Sequence, residues 1–139
     1  ADRAAAAAIP SFWIPSKAYA MPGVPFVSAN EKVRIAFIGI GNRGGEIAQE
    51  LYKTGLCEVV ALCDVDMGAP HTQKLISMFP KVPRFQDFRQ MFDKMADKID
   101  AVTVGVPDHA HFPITIEAMA HGKHVYVEKP MARTFRKSK

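Results

Sequence analysis

The sequence predicts an α/β fold, a parallel and doubly wound β-sheet with helices on both faces. From residue 32 onward, short β-rich runs alternate with helix-like stretches, which is typical of βαβ units. A glycine-rich turn, GIGNRG at residues 39–44, directly follows the first of these runs. At 139 residues and 48% hydrophobic, the chain is large enough for one modest core, so we expect one domain over residues 31–139.

The first βαβ unit has the clearest pattern. The apolar run Val33–Ile38 (VRIAFI) predicts a strand buried on both faces. Residues 45–53 then favour a helix, for which Gly55 is a plausible stop. Residues 59–62 (VVAL) predict the second strand, which ends at Cys63-Asp64.

Two further helices are predicted around a proline-marked loop. Residues 67–79 favour a helix, and Pro80 and Pro83 mark the loop after it. Asp87 can cap the next helix, residues 87–95, because its side chain can accept a hydrogen bond from an unpaired amide of the first turn. The apolar side chains of the helix over residues 87–95 recur at helical spacing.

The last part of the pattern predicts two strands around a helix. Residues 99–106 favour a strand, residues 107–111 a turn, and residues 112–120 a helix with Gly122 as its stop. His124–Val127 is then numbered the fifth strand of the sheet, in which the third strand is not assigned to any residues. Right-handed crossovers predict the strand order 3-2-1-4-5 and bring the loops after the strands to one edge, where ligands bind.

The charge distribution argues against a nucleic-acid partner. The formal net charge is +4, but the last seven residues hold four positive charges, those of Arg133, Arg136, Lys137 and Lys139. The rest of the chain carries 14 basic and 14 acidic side chains and no basic stripe interleaved with aromatic residues. We therefore expect no nucleic-acid binding.

Neither a disulfide nor a metal site is expected. Cys57 and Cys63 lie in one predicted strand, where a rise of about 3.3 Å per residue holds them too far apart to pair. The sequence contains no HExxH, no CxxC and no cysteine–histidine ligand spacing.

Residues 1–30 differ from the rest of the chain. An alanine run at residues 4–8 and the A-x-A pattern Ala18-Tyr19-Ala20 are typical of an export signal, whereas four prolines within residues 10–25 fit a proline-rich arm. We expect a signal remnant and an exported or periplasmic protein, or a cytoplasmic one if residues 1–20 are not a signal. No stretch approaches eighteen consecutive apolar residues, so no membrane span is predicted.

The glycine turn predicts a Rossmann-type dinucleotide-binding domain. Gly39, Gly41 and Gly44 follow a predicted strand and open a predicted helix, which is the context that this fingerprint requires. The first glycine permits the tight turn, the second lets the pyrophosphate approach the backbone, and the third allows close packing of helix and strand. Asn42 and Arg43 lie in the same turn and could add hydrogen-bond donors to the phosphates.

Asp64 predicts the identity of the cofactor. It follows the second strand, twenty residues after the last glycine, where an acid accepts hydrogen bonds from the adenosine ribose hydroxyls. A 2′-phosphate would meet this carboxylate, so NAD is favoured over NADP, although Arg43 or Lys74 could reduce the repulsion. The first βαβ unit alone would also suit FAD or S-adenosylmethionine.

Two later motifs make the assignment more specific. Residues 107–111 (PDHAH) and 122–130 (GKHVYVEKP), together with the glycine turn, resemble the Gfo/Idh/MocA family of NAD(P)-dependent oxidoreductases. The resemblance covers about residues 32 to 135. It implies hydride transfer between a nicotinamide cofactor and a sugar, inositol or related polyol, and the GNRG turn looks most like that of exported bacterial members.

The resemblance implies a role for each residue of the EKP turn. Lys129 would be the catalytic lysine, which contacts the substrate hydroxyl and stabilises developing alkoxide or relays its proton. Glu128 would lie near the nicotinamide ribose. Pro130 would fix the turn that directs Lys129, often through a cis peptide bond, which is a minority state for X–Pro bonds.

The PDHAH motif is implied to line the nicotinamide side of the cofactor through Pro107 and His111. Asp108 replaces the asparagine that is usual in the family, which puts a hydrogen-bonding role at that position in doubt. The other histidines, His71, His109, His121 and His124, are expected to be structural or solvated.

The family pattern also implies parts that these 139 residues do not contain. Members carry a second α/β domain, which forms the substrate site, supports oligomerisation and supplies a histidine that works with the lysine. We therefore expect a homo-oligomeric enzyme of which this chain is the cofactor-binding half. Two alternatives remain: a glycosidase of the same family that uses tightly held NAD, and a non-catalytic nucleotide-binding or assembly module.

Overall fold

A computed structural model describes residues 32–131, so the predictions for residues 1–30 and for the basic end of the chain lie outside the described part. Strands and helices alternate through this part. They are β1 (Val33–Ile38), α1 (Asn42–Lys53), β2 (Cys57–Cys63), α2 (Pro70–Met78), β3 (Arg84–Phe85), α3 (Phe88–Met95), β4 (Ala101–Val104), α4 (Asp108–Ala120) and β5 (His124–Val127).

The strands form one sheet in the order β3-β2-β1-β4-β5, and all neighbours are parallel, as predicted. At the carboxyl edge, Ile38 of β1 lies beside Cys63 of β2 and Val104 of β4. The segments that follow these three strands, beginning with Gly39, Asp64 and Gly105, therefore start side by side. The sheet thus brings together residues that are distant in sequence.

Successive side chains of a strand point to opposite faces, so β1 contributes to a core layer on each face of the sheet. Ala36 and Ile38 belong to a cluster that includes Phe92 of α3 and Ile114 of α4. Ile35, Phe37 and their neighbours pack instead with residues of α1 and α2, namely Ala48, Leu75 and Ile76. Helices on both faces confirm the doubly wound architecture.

Three helices begin at residues other than those predicted. α1 begins at Asn42 rather than at residue 45, and α2 begins at Pro70 rather than at residue 67, because proline fits the first helical position, where no amide is needed. The prediction of a turn over residues 108–111 is wrong. α4 begins at Asp108, whose carboxylate is favourable in a first helical turn, and it accommodates Pro113 in its interior.

The other boundaries agree more closely with the pattern. β2 is longer than predicted and β4 is shorter, while β3 is a two-residue strand in a region that the sequence marks only as a proline loop. The Asp87 side chain accepts a hydrogen bond from the Arg89 amide at 2.9 Å and so caps α3 as predicted. Gly55 and Gly122 follow their helices with φ values of 72° and 71°, and the two cysteines are unpaired.

A polar cluster ties the opposite, amino edge of the sheet together. The Arg34 guanidinium donates two hydrogen bonds to the buried Asp100 carboxylate, at 3.1 and 2.9 Å, and the Arg34 amide donates a third at 2.9 Å. Burial alone would raise the pKa of Asp100, but these bonds and the Arg34 charge outweigh it and lower that pKa. Burial also lowers the pKa of Lys123, whose ammonium donates to the Ala96 carbonyl.

Candidate functional site

The glycine turn between β1 and α1 leaves no room for side chains at two of its positions. Gly39 has a φ of +80°, and a Cβ atom there would lie 2.5 Å from the Gly105 carbonyl oxygen. A Cβ on Gly44 would lie 2.1 Å from the Gly39 oxygen. These distances agree with the tight turn and the close helix–strand packing that the fingerprint predicts.

Gly105 belongs to the same contact, and the motif analysis did not identify it. It follows β4, and a Cβ atom on it would lie 2.5 Å from the Gly44 Cα atom. Three glycine backbones therefore meet where β1, α1 and β4 come together. The sequence did contain a signal for this contact. Gly105 is a small residue that directly follows β4, and the predicted strand order already places β4 beside β1 and the glycine turn.

The space above Gly41 is partly filled by a side chain of α2. A Cβ atom on Gly41 would lie 2.0 Å from Cδ2 of His71, so the imidazole rests directly against the glycine backbone. His71 is exposed, as predicted, yet it lines the candidate site. The missed signal was its place at the start of the helix that follows Asp64.

Asp64 joins the ends of β1 and β2. Its Oδ2 atom accepts a hydrogen bond from the Ile40 amide at 3.0 Å, and its Oδ1 atom accepts one from the Asp66 amide at 3.0 Å. A carboxylate offers about four acceptor positions, so these two bonds leave capacity for ribose hydroxyls. Binding of the ribose stays a prediction.

The amino end of α1 is left without a side-chain cap. Gly41 is the N-cap residue and provides no side-chain cap, and no acidic residue lies in the first turn. Asn42 has a φ of 45°, a left-handed conformation that asparagine adopts more readily than most residues. Uncapped amides and the positive end of the helix dipole favour an anion at this place.

A cavity of about 580 Å³ lies above these residues at the carboxyl edge of the sheet. Its size is within the usual range for small-molecule and cofactor sites. Four segments line it: the glycine turn, the end of β2 with the start of α2, the start of α3, and the segment from β4 into α4. The predicted residues among its lining are Gly39, Gly41, Asn42, Arg43, Asp64 and Pro107.

The EKP turn follows β5 beside this cavity. The Glu128 amide donates a hydrogen bond to the Val104 carbonyl at 3.1 Å, which holds the start of the turn to β4. The Arg43 Nε atom lies 3.6 Å from Glu128 Oε1, so an ion pair joins the glycine turn to the EKP turn. Lys129 is exposed, and the Lys129–Pro130 peptide bond is cis, as the family resemblance implies.

His111 lies beneath the EKP turn and is 1% exposed. Its Nδ1 atom is 2.6 Å from the Pro130 carbonyl oxygen, and its Nε2 atom is 2.7 Å from the Val106 carbonyl oxygen. Both polar atoms of the ring thus face backbone oxygens. Contact between His111 and a cofactor, which the resemblance implies, stays a prediction.

The predicted residues therefore form two adjoining groups. The glycine turn, Asp64 and Pro107 border the cavity, whereas Glu128, Lys129 and His111 belong to the neighbouring turn and its support. Among residues 32–131, no three histidine, cysteine or carboxylate side chains are grouped so as to hold a metal ion. No helix in this range is long and apolar enough to cross a membrane.

A glycine turn between the first strand and helix, an acid after the second strand and a cavity at the carboxyl edge together define a Rossmann-type dinucleotide-binding domain. The family comparison agrees with this class. Residues 33–139 match the model described as "Oxidoreductase family, NAD-binding Rossmann fold". The chain belongs to the Gfo/Idh/MocA family.

Two relatives of the chain carry the names of glycosidases. Over 111 residues the chain is 34% identical to an α-N-acetylgalactosaminidase of Shewanella oneidensis. This match covers 75% of this chain and 24% of that protein. It is 35% identical over 119 residues to a glycosyl hydrolase family 109 protein of Streptomyces niveus, covering 81% of this chain and 24% of the relative. The chain thus spans about a quarter of the length of these curated relatives.

Solved structures of dehydrogenases share the fold. The myo-inositol 2-dehydrogenase from Lactobacillus plantarum superposes with a TM-score of 0.67 at 26% identity. The match covers 77% of this chain and 31% of that one.

Proposed function

We propose that this domain binds NAD and takes part in hydride transfer between NAD and a sugar, inositol or related polyol. One observation carries the proposal: the cavity at the carboxyl edge of the sheet is bordered by the glycine turn and adjoins the turn that holds Lys129. A phosphate-binding element and a candidate proton-transfer group thus lie at the same edge. This juxtaposition is what a dehydrogenase requires.

The glycine turn and Asp64 would hold the adenosine half of NAD. The uncapped amides of α1 suit the pyrophosphate, for which Asn42 and Arg43 could supply further donors, and the exposed His71 side chain would have to move aside for the pyrophosphate to approach the Gly41 backbone. Asp64 would accept from the ribose hydroxyls while it continues to accept from the Ile40 amide. Its negative charge favours NAD over NADP, because a 2′-phosphate would be repelled.

Lys129 would hold the substrate hydroxyl that becomes a carbonyl. NAD, when bound, supplies the acceptor for the hydride that leaves the same carbon. As an amine, Lys129 would accept the hydroxyl proton, and as an ammonium it would return that proton in the reverse direction. Glu128 would lie near the nicotinamide ribose, beside the exposed guanidinium of Arg43.

The proposal is tested by replacing the lysine. In the full-length protein, Lys129→Ala should abolish NADH formation with a panel of sugars and inositols, while calorimetry should show NAD affinity within about threefold of the parent protein. Lys81→Ala removes an exposed lysine in the loop after α2 and serves as the matched control. Full turnover by Lys129→Ala would show that the catalytic group lies elsewhere.

A second candidate is a glycosidase that uses NAD without releasing it. The observation that favours it is the set of names carried by relatives at 34–35% identity, an α-N-acetylgalactosaminidase and a glycosyl hydrolase family 109 protein. Such an enzyme would oxidise its sugar transiently and then reduce it again. The same cavity and lysine would serve both reactions.

The two activities differ in the fate of NADH. A dehydrogenase should release NADH stoichiometrically with product and need added NAD. A glycosidase should liberate p-nitrophenol from p-nitrophenyl N-acetyl-α-galactosaminide with no net NADH, and a burst of bound NADH should appear in rapid mixing. Neither product, together with intact NAD binding, would favour a non-catalytic nucleotide-binding or assembly module.

A further inference from the structure

His111 is placed to control the position of the EKP turn. In the described part of the chain, the bond from the Glu128 amide to the Val104 carbonyl is the last backbone hydrogen bond made by the β5 segment. The backbone of the next two residues, Lys129 and Pro130, is therefore not held by the sheet. The imidazole of His111 reaches this backbone from below, at the Pro130 carbonyl.

We propose that His111 is a positioning residue that sets where Lys129 stands, by holding the Pro130 carbonyl at a fixed distance from Val106. The catalytic part of this proposal rests on the function proposed for Lys129, whereas the positional part can be tested without it. The ring connects two loops at the carboxyl edge, one after β4 and one after β5. Since the ring is rigid, the separation of these loops follows from its width.

The bonding pattern explains why histidine suits this place. A carbonyl oxygen only accepts hydrogen bonds, so the ring donates to Pro130 in the tautomer that carries its hydrogen on Nδ1, with Nε2 in contact with the Val106 oxygen. The ring is fully buried, where hydrogen bonds are stronger and an unpaired carbonyl is costly. Removing the ring would leave the Pro130 oxygen without this donor and would end the contact with the Val106 oxygen.

The effect on Lys129 follows from the chain connectivity. Pro130 directly follows Lys129, so a shift of the Pro130 carbonyl moves the backbone from which the lysine side chain projects. A displacement of about 1 Å at a reacting group can lower a rate by about a hundredfold. The bond to Pro130, rather than the bond to Val106, is therefore the one that should matter for the rate.

Two substitutions separate the two bonds. In His111→Asn, the side-chain amide nitrogen occupies nearly the position of Nδ1 and can still donate to Pro130. In His111→Gln, the amide nitrogen occupies nearly the position of Nε2 and can still donate to Val106. Each variant keeps a side-chain donor at one of the two carbonyls and lacks one at the other, and His111→Phe removes both polar contacts while it preserves a ring.

The positional test is a pair of crystal structures of the variants in the full-length protein with NAD. We expect the Lys129 Cα atom to shift by about 1 Å or more in His111→Gln and by less than about 0.3 Å in His111→Asn. Equal positions of Lys129 in both variants would overturn the proposal. This result does not depend on any substrate.

The kinetic test uses single-turnover NADH formation with myo-inositol and with p-nitrophenyl N-acetyl-α-galactosaminide. His111→Gln and His111→Phe should lower the rate by about a hundredfold, with NAD affinity and substrate KM within about threefold, and His111→Asn should restore most of the rate. Equal rates of the Asn and Gln variants would overturn the proposal. Failure of the proposed function would give a different result, either an unchanged rate in Lys129→Ala or no NADH in the parent protein. In that case the crystal structures would still show whether His111 sets the position of Lys129.

Discussion

The contact of three glycines beneath the cavity makes a quantitative prediction about Gly44→Ala. The new Cβ atom would lie 2.1 Å from the Gly39 carbonyl oxygen and 2.9 Å from the Gly105 oxygen. Both neighbours are backbone atoms, so neither can rotate away. Real Cβ atoms essentially never lie closer than 3.0 Å to such a neighbour. The Gly44 backbone must therefore move about 1 Å away from the Gly39 carbonyl oxygen.

The expected cost combines two opposing terms. Forcing an extra methyl group into a well-packed contact costs about 1–3 kcal/mol, whereas alanine in place of glycine in a helix returns up to about 1 kcal/mol. Because the new methyl group meets backbone atoms, the upper part of the first range, about 2–3 kcal/mol, applies, so the net loss should be about 1–2 kcal/mol in the free energy of unfolding. For a domain of this size, that loss should lower Tm by roughly 3–12 °C. The displaced amides of α1 should also weaken NAD binding, by about tenfold or more.

The assay is urea unfolding of the chain together with NAD calorimetry, with Gly68→Ala as the control. A Cβ atom on Gly68 would meet nothing closer than 3.6 Å, an ordinary contact, so that variant should stay within about 0.5 kcal/mol of the parent protein. If Gly44→Ala were as stable and bound NAD as tightly as Gly68→Ala, the packing argument for the glycine turn would be refuted.

Three further predictions concern single acidic or thiol groups. Asp64→Asn keeps an acceptor for the Ile40 amide but removes the charge, so the ratio of NAD to NADP affinity should fall by about tenfold in paired calorimetric titrations, and an unchanged ratio would contradict the role of the charge. Because the folded-state pKa of Asp100 is lowered, its pairing with Arg34 stabilises the fold above the ordinary aspartate pKa of about 3.9, and this contribution is lost as pH falls through the lowered value. The urea midpoint of the parent protein should therefore fall more steeply with acid than that of Asp100→Asn, and parallel curves would contradict the pairing. Burial, with the nearby Asp64 and Asp87 charges, raises the pKa of Cys63 to about 12, so native protein at mildly alkaline pH should leave this thiol unlabelled by iodoacetamide until urea is added.

The sequence predicted those parts of the fold that depend on local chemistry. The stops at Gly55 and Gly122 and the Asp87 cap were identified correctly, because a left-handed residue or a capping carboxylate acts within a few residues of the chain. The two-residue strand β3 could not be predicted from its own composition. It exists because Arg84 and Phe85 pair with β2, which is a tertiary contact.

The same division applies to the candidate site. The motif positions were found by pattern, but the residues that contact them were found only where the sheet brings distant segments together. Gly105 faces Gly44 because β4 pairs with β1, and His71 covers Gly41 because α2 begins where the chain returns to the glycine turn. Such contacts depend on side-chain rotamers and on strand pairing, which no single stretch of sequence encodes.

The polar contacts across the carboxyl edge connect the two adjoining groups of the candidate site. Arg43 extends from the glycine turn to Glu128, and His111 extends from α4 to Pro130, so the residues on either side of Lys129 are each tied to another segment of the same edge. The first tie is exposed at its Arg43 end, where the guanidinium also pairs with Glu46, whereas the second is buried. Exposed ion pairs contribute little, and buried hydrogen bonds hold their geometry. Under the proposed function, a cofactor phosphate that drew Arg43 away from Glu128 would therefore change the charge beside Lys129 but leave the backbone of the turn in place.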